Sequence, residues 1–179
     1  MRVFIGIDMP EEVADRLMAM QQGLDGARWV PFDNFHLTLA FIGDVDPPDL
    51  RDINEALSTI DQQPFDLELN GVGHFGDRKP HCVWAGLRDT PDLTILQSSI
   101  VTALGRFGIA LDRRKFKPHV TLGYLKGLSQ EEVEQWRIAH ALASERPFPV
   151  TEFHLYRSHM GRAGSVYEIL ETYPLSFSR

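Results

Sequence analysis

His36 and Thr38, and again His119 and Thr121, stand two residues apart inside otherwise apolar stretches, FHLTLAFI at 35–42 and PHVTLGYL at 118–125. On a β-strand residues i and i+2 share a face, so each stretch presents an imidazole and a hydroxyl on one side and aliphatic residues on the other. Imidazole titrates near neutrality without help, and two of them allow one group to give a proton while the other takes one. A neighbouring hydroxyl can donate to an oxygen that gathers negative charge. A single His-x-Thr would carry little weight, since an isolated strand histidine is ordinarily structural. Here the unit occurs twice in matching context. Core packing needs only the leucines and gives no reason to place a His and a Thr in both.

The two copies superpose at an offset of 83 residues, and the same offset lays Phe65-Asp66-Leu67 on Phe148-Pro149-Val150. A repeat this long points to a duplicated half-domain rather than a short-period solenoid. The elements that must position the two units follow the same plan. VFIGID at 3–8 reads as a strand. A helix is predicted from Pro10 to Leu24, then a short edge strand at Trp29 and Val30, and the first His-x-Thr strand at 35–43. Asp46 with Pro47 and Pro48 reads as an N-cap and first turn of a helix to Ile60. Phe65 to Leu69 alternates as a half-buried strand, with HCVWAGL at 81–87 its predicted hairpin partner. The second half repeats the order: a helix through Leu93, Leu96, Ile100 and Leu104, the second His-x-Thr strand at 119–125, a Ser129-to-Glu132 capping box opening a helix toward Ala141, and strands at 148–156 and 165–170. The expected architecture is α+β: two pseudo-symmetric lobes of antiparallel sheet, halves 1–90 and 91–179 of a single bilobal domain, with outer helices around a central groove.

Composition removes several alternatives. The 179 residues carry 18 Lys and Arg against 25 Asp and Glu, a net charge of −7, which sets the chain against long duplex partners, whose affinity comes from neutralised phosphates. The single cysteine, Cys82, cannot form an internal disulfide, and no apolar run is long enough for a signal-peptide core or a membrane span. The expected compartment is therefore the cytoplasm. The motifs offer no HxH or HExxH, so no metal is expected, and His74, His81, His140, His154 and His159 stand singly and read as structural or exposed. No GxSxG, P-loop or GxGxxG occurs, so a serine nucleophile or a nucleotide cofactor has no basis in the sequence.

HLTL at 36–39 and HVTL at 119–122, with Phe41-Ile42-Gly43 and Gly123-Tyr124-Leu125 following, resemble the paired HxTx motifs of the 2H phosphoesterase superfamily. Within it, RVFIGIDMP and RWVPFDNFHLTLAFIGDV are similar to the bacterial RNA 2′,3′-cyclic phosphodiesterases, also called 2′-5′ RNA ligases. The resemblance implies a hydrolase that opens 2′,3′-cyclic phosphates on RNA ends or small nucleotides to 2′-phosphomonoesters; no cofactor and no membrane are expected, and the protein is expected to be a monomer. It implies His36 as proton donor to the 3′ oxygen, His119 as the group that activates water, and Thr38 and Thr121 on the nonbridging oxygens. The symmetry of the motifs by itself leaves acid and base interchangeable. The alternatives are 2′-5′ ligation as the main role and a nucleotide-binding module without turnover. In the densest basic segment, Asp112 to Lys117, Arg114 and Lys117 are the candidates for gripping flanking phosphates. Trp29, Phe4 and Phe41, and after them Tyr156 and Tyr167, are candidates for stacking on a base, with burial the competing role.

Overall fold

The computed structural model describes residues 1–112, 114–141, 146–162 and 164–177. Its elements run β1 (Arg2–Asp8), α1 (Glu11–Ala19), β2 (Arg28–Trp29), a 3₁₀ turn (Phe32–Asn34), β3 (His36–Asp44), α2 (Pro47–Ser58), β4 (Phe65–Leu67), β5 (Leu69–Phe75), β6 (Cys82–Leu87), α3 (Pro91–Arg106), β7 (His119–Tyr124), α4 (Gln130–Ala139), β8 (Phe148–Val150), β9 (Glu152–Gly161) and β10 (Gly164–Pro174). Among the described residues one antiparallel sheet follows the order β10-β9-β1-β3-β7-β6-β5, with β2 added on β7. A second, two-stranded sheet joins β4 to β8. The mixed α+β class and the antiparallel duplication are as the sequence predicts.

The register carries the duplication into space. Leu37 lies opposite Val120 where β3 meets β7, and Asp66 lies opposite Pro149 where β4 meets β8. Both pairs are separated by the 83-residue offset, so the pseudo-twofold axis passes between the two central strands and through the small sheet. Strands from opposite ends of the chain meet on either side: β9, from the second half, pairs with β1, from the first.

Helix ends follow local chemistry. The Asp46 carboxylate accepts from Asp49 N at 3.0 Å, and Ser129 and Glu132 form the reciprocal capping box. Each helix turns an apolar stripe inward, such as Ile53, Ala56 and Leu57 of α2, onto the core that also receives Leu37, Leu39, Val120 and Leu122 from the back of the central strands.

Three predicted features differ, the first being the strand predicted at 148–156, which is divided between β8 in the small sheet and β9 in the large one. α1 stops at Ala19 instead of Leu24, with Met20 as its C-cap, and Gly23 in the connection beyond takes a positive φ of 81°. Beyond the helix the Gln21 amide donates to Val30 O and Leu122 O, and Met20 O accepts from the Trp136 indole. Phe65–Leu67 pairs with β8, and the hairpin partner of β6 is β5. Gly71 and Gly73, between the two predicted hairpin strands, lie inside β5. Gly73 is required there: a Cβ would stand 2.3 Å from the Trp84 ring.

Candidate active site

The register through Leu37 and Val120 carries His36 across from Thr121 and Thr38 across from His119, all four on the sheet face opposite the aliphatic core. The four residues are partly exposed while Leu37, Leu39, Val120 and Leu122 are buried. The structure therefore brings the two sequence-predicted motifs together across one groove.

Each imidazole is held the same way. His36 Nδ1 lies 2.8 Å from Asn34 O, and His119 Nδ1 lies 2.6 Å from Lys117 O. A carbonyl only accepts, so Nδ1 carries a hydrogen in both rings and Nε2 is the nitrogen left to gain or lose a proton. His36 Nε2 faces Thr38 Oγ1 at 3.1 Å. The 3₁₀ turn before β3 supplies the Asn34 carbonyl, and the Asn34 amide is tied to Ser165 O of β10 at 2.7 Å. Aromatic rings wall in both imidazoles. His36 packs against Phe4 and Tyr167 at centroid distances of 4.8 and 5.0 Å, and His119 against Phe75 and Trp84 at 4.9 and 6.0 Å.

This shielding favours neutral imidazole. Burial pushes the His36 titration down to about 4, against the Asn34 carbonyl, which favours the charged ring, and with help from nearby His119. His119 is lowered too, by burial and by the adjacent Lys117 ammonium, against the pull of the Lys117 carbonyl. The sign for stability follows. Below an unfolded value of about 6.5 the unfolded chain takes up a proton at residue 36 that the folded chain refuses, so stability falls as pH drops from about 6.5 to 4. The loss from this residue is up to about 3 kcal/mol at pH 4. Urea unfolding at pH 7 and pH 4.5 should show His36→Gln losing less stability on acidification than the native chain. Equal losses would contradict the shielding.

The bulges in the central strands add residues that an alternating pattern hides. Between Gly6 and Ile5 of β1 the partner on β3 jumps from Thr38 to Ala40, and between Trp84 and Val83 of β6 the partner on β7 jumps from Thr121 to Gly123. Each extra residue reverses the parity of the strand. Ala40 and Gly123 turn inward as buried residues, and Phe41 and Tyr124, related by the same 83-residue offset, join the histidine face.

A cavity of about 470 Å³ lies on this face, and His36, Thr38 and Thr121 line it. Phe41, Tyr124 and Tyr167 form aromatic parts of its wall, and Ser158, His159 and Arg2 complete the far side. His159, read from sequence as structural or exposed, is exposed and lines this cavity. His154 is buried and bonded through Nδ1 to Thr172 Oγ1 at 3.0 Å. Of the other stacking candidates, Phe4 borders the cavity but is largely buried and stacks on the buried Tyr156 at 4.8 Å, and Trp29 packs over Gly123. A smaller cavity of about 150 Å³ adjoins across Thr38 and Phe41 on the His119 side, bordered by Arg114 and Lys117. Arg114 there is bound by Asp112, with Nε 2.8 Å and Nη2 2.6 Å from Oδ2. Lys117 Nζ lies over the Trp84 ring at 4.7 Å and the Phe75 ring at 5.3 Å. Arg113 of the same basic segment lies outside the described residues. Among the described residues no group of three or more His, Cys, Asp or Glu is arranged to hold a metal ion.

Two strands of a duplicated antiparallel fold, each turning a His-x-Thr unit into one groove, define a two-histidine phosphoesterase. The chain belongs to the family described as LigT like phosphoesterase, which matches it twice, over residues 7–84 and 88–167, one motif in each match. An RNA 2′,3′-cyclic phosphodiesterase of Archaeoglobus fulgidus is 30% identical over 177 residues, covering 97% of this chain and 99% of its own. The protein of the same name in Escherichia coli is 30% identical over 184 residues, covering 98% and 97%. The crystal structure of E. coli LigT in apo form superposes with a TM-score of 0.80 at 28% identity over 98% of both chains, and so does LigT complexed with 3′-AMP.

Proposed function

We propose that this protein hydrolyses RNA ends and small nucleotides bearing a 2′,3′-cyclic phosphate to 2′-phosphomonoesters, without a metal, by a His36/His119 acid–base pair. The observation that carries the reading is the pairing of β3 with β7 at Leu37 and Val120, with each Nδ1 fixed on a carbonyl so that Nε2 is the nitrogen of each ring that exchanges a proton. Opening the ring requires a proton taken from water and one delivered to the departing 3′ oxygen on the opposite side of phosphorus. His119 Nε2 takes the first and His36 Nε2–H gives the second. Both imidazoles are held neutral in the free site, so the proton on His36 arrives with the anionic phosphate, whose charge raises its affinity for a proton. Thr38 and Thr121 donate to the nonbridging oxygens. Arg114 and Lys117 add positive potential on the His119 side, from which water attacks. On this reading the protein works in the cytoplasm as one bilobal domain and a monomer, since one chain supplies both histidines.

The experiment is incubation with a nucleoside 2′,3′-cyclic phosphate in excess EDTA, followed by phosphorus NMR. The expected product is the 2′-monoester at an undiminished rate. A closed ring, a 3′-monoester, or loss of activity that zinc or manganese restores would each overturn the proposal.

A further inference from the structure

The chain is acidic, yet the groove must attract phosphate. Around the 470 Å³ cavity the charge is local: among the described residues none of the side chains lining it is a carboxylate. Arg2 lines it, and Arg28 borders a small space that adjoins it. Arg2 opens β1 and shares the site face with Phe4, two residues on, and its guanidinium lies over the Phe41 ring at 5.0 Å. Arg28 pairs with Tyr124 in the β2–β7 ladder and lies over that ring at 4.8 Å. The small adjoining space it borders shares Asn34, Tyr124, Ser165 and Tyr167 with the main cavity. The two aromatic platforms are the residues that the strand bulges turn onto the histidine face. Tyr167 lines both spaces. Burial raises its phenol titration, and a bond to Ser165 and then the fields of Arg28 and Arg2 pull it back, so both guanidiniums act on the neighbourhood of one hydroxyl, whose ring packs against His36.

We propose that Arg2 and Arg28, each flattened on its aromatic ring, hold the phosphate on the 5′ side of the terminal nucleotide and so make the site selective for ends that carry one. The inference rests on the phosphodiesterase reading above. Guanidinium offers a planar fork of donors suited to phosphate oxygens, and stacking on a ring fixes that plane before the ligand arrives. A nucleoside 2′,3′-cyclic phosphate with a free 5′ hydroxyl has nothing to give this fork. An RNA end presents a phosphodiester there, and a 5′-phosphorylated mononucleotide presents a monoester. The basic segment near His119 is less suited to the task, since Arg114 is paired with Asp112 and Lys117 offers a point charge rather than a planar fork.

The test compares three substrates with the same base: the 5′-hydroxyl nucleoside 2′,3′-cyclic phosphate, its 5′-phosphorylated form, and a dinucleotide ending in the cyclic phosphate. For the native protein kcat/KM should rise about ten-fold or more when either 5′ phosphate is present. Arg2→Ala and Arg28→Ala should each remove most of that advantage, chiefly through KM. Lysine at either position should restore part of it, and Arg51→Ala, an equal change of charge on the exposed side of α2, should preserve it. An advantage shared by both phosphate-bearing substrates assigns the fork to phosphate as such; one confined to the dinucleotide assigns it to RNA. No advantage in the native protein, or an equal loss on all three substrates, overturns the inference. Calorimetric binding of the same compounds to the His36→Ala/His119→Ala variant reads the preference without turnover. Failure of hydrolysis would sink the phosphodiesterase reading while the binding preference still decides the role of the arginines.

Discussion

His36→Ala and His119→Ala are each expected to lower kcat/KM for a 2′,3′-cyclic phosphate by about 10²- to 10⁴-fold with the fold retained. Both rings lie on the groove face rather than in the core, and their removal leaves Leu37, Val120 and the strand register beneath them in place. The two groups act in one step, so the double variant should be about as slow as the poorer single variant. Acid and base are separable by leaving group. A substrate with sulfur at the 3′ bridging position needs no proton on departure, so His36→Ala should regain most of the native rate on it and His119→Ala should not. The reverse pattern would exchange the two roles, an exchange that the stronger shielding of His36 makes a real alternative. The pH dependence gives an independent reading. The acid limb belongs to the group that must be neutral, and the alkaline limb to the group that must be protonated. Because kcat/KM reports the free protein and both imidazoles titrate below their ordinary value there, its optimum should fall below about 6.5. On the proposed assignment His119→Ala abolishes the acid limb and His36→Ala the alkaline one.

Much of the fold was legible because local chemistry and burial agreed. Asp46 before two prolines and Ser129 three residues before Glu132 are instructions that hold whatever the rest of the chain does. The His-x-Thr strands were legible for another reason: alternation fixed which side chains share a face, and duplication fixed that the two faces belong together. Long-range pairing was not legible. Phe65-Asp66-Leu67 reads equally well as a hairpin strand with Cys82–Leu87 or as a partner of Phe148–Val150, and only the completed fold selects the latter. The bulges escaped because an alternating pattern assumes an unbroken period of two. A strict reading places Phe41 with Leu37 and Leu39, and the one-residue insertion moves it to the site. The Arg114 carboxylate partner was next to it in sequence, at Asp112. Arg2 and Arg28 gave no signal, being single charges at strand ends whose value depends on rings of the paired neighbouring strand, distant in sequence.

The threonines provide the second large effect, and their surroundings make it unequal. Thr38→Val and Thr121→Val should each reduce kcat by about 10²-fold with smaller changes in KM, since a hydroxyl aimed at an oxygen that gains charge matters most in the transition state. Serine should recover most of the rate at both positions. Thr38, however, is already bonded to His36 Nε2 at 3.1 Å. With Nδ1–H committed to Asn34 O, neutral His36 draws the Thr38 hydroxyl hydrogen to itself; protonated His36 donates to Thr38 Oγ1 and leaves that hydrogen for the phosphate. Thr121 Oγ1 instead accepts from the Cys82 thiol at 4.0 Å, which leaves its hydrogen free at any protonation state of His36. Thr38→Val should therefore also displace the limb of the pH profile that His36 sets, whereas Thr121→Val should lower the whole profile without moving it. A rise in KM at constant kcat would reduce both threonines to ground-state binding, and identical profiles for the two variants would refute the coupling of Thr38 to the proton on His36.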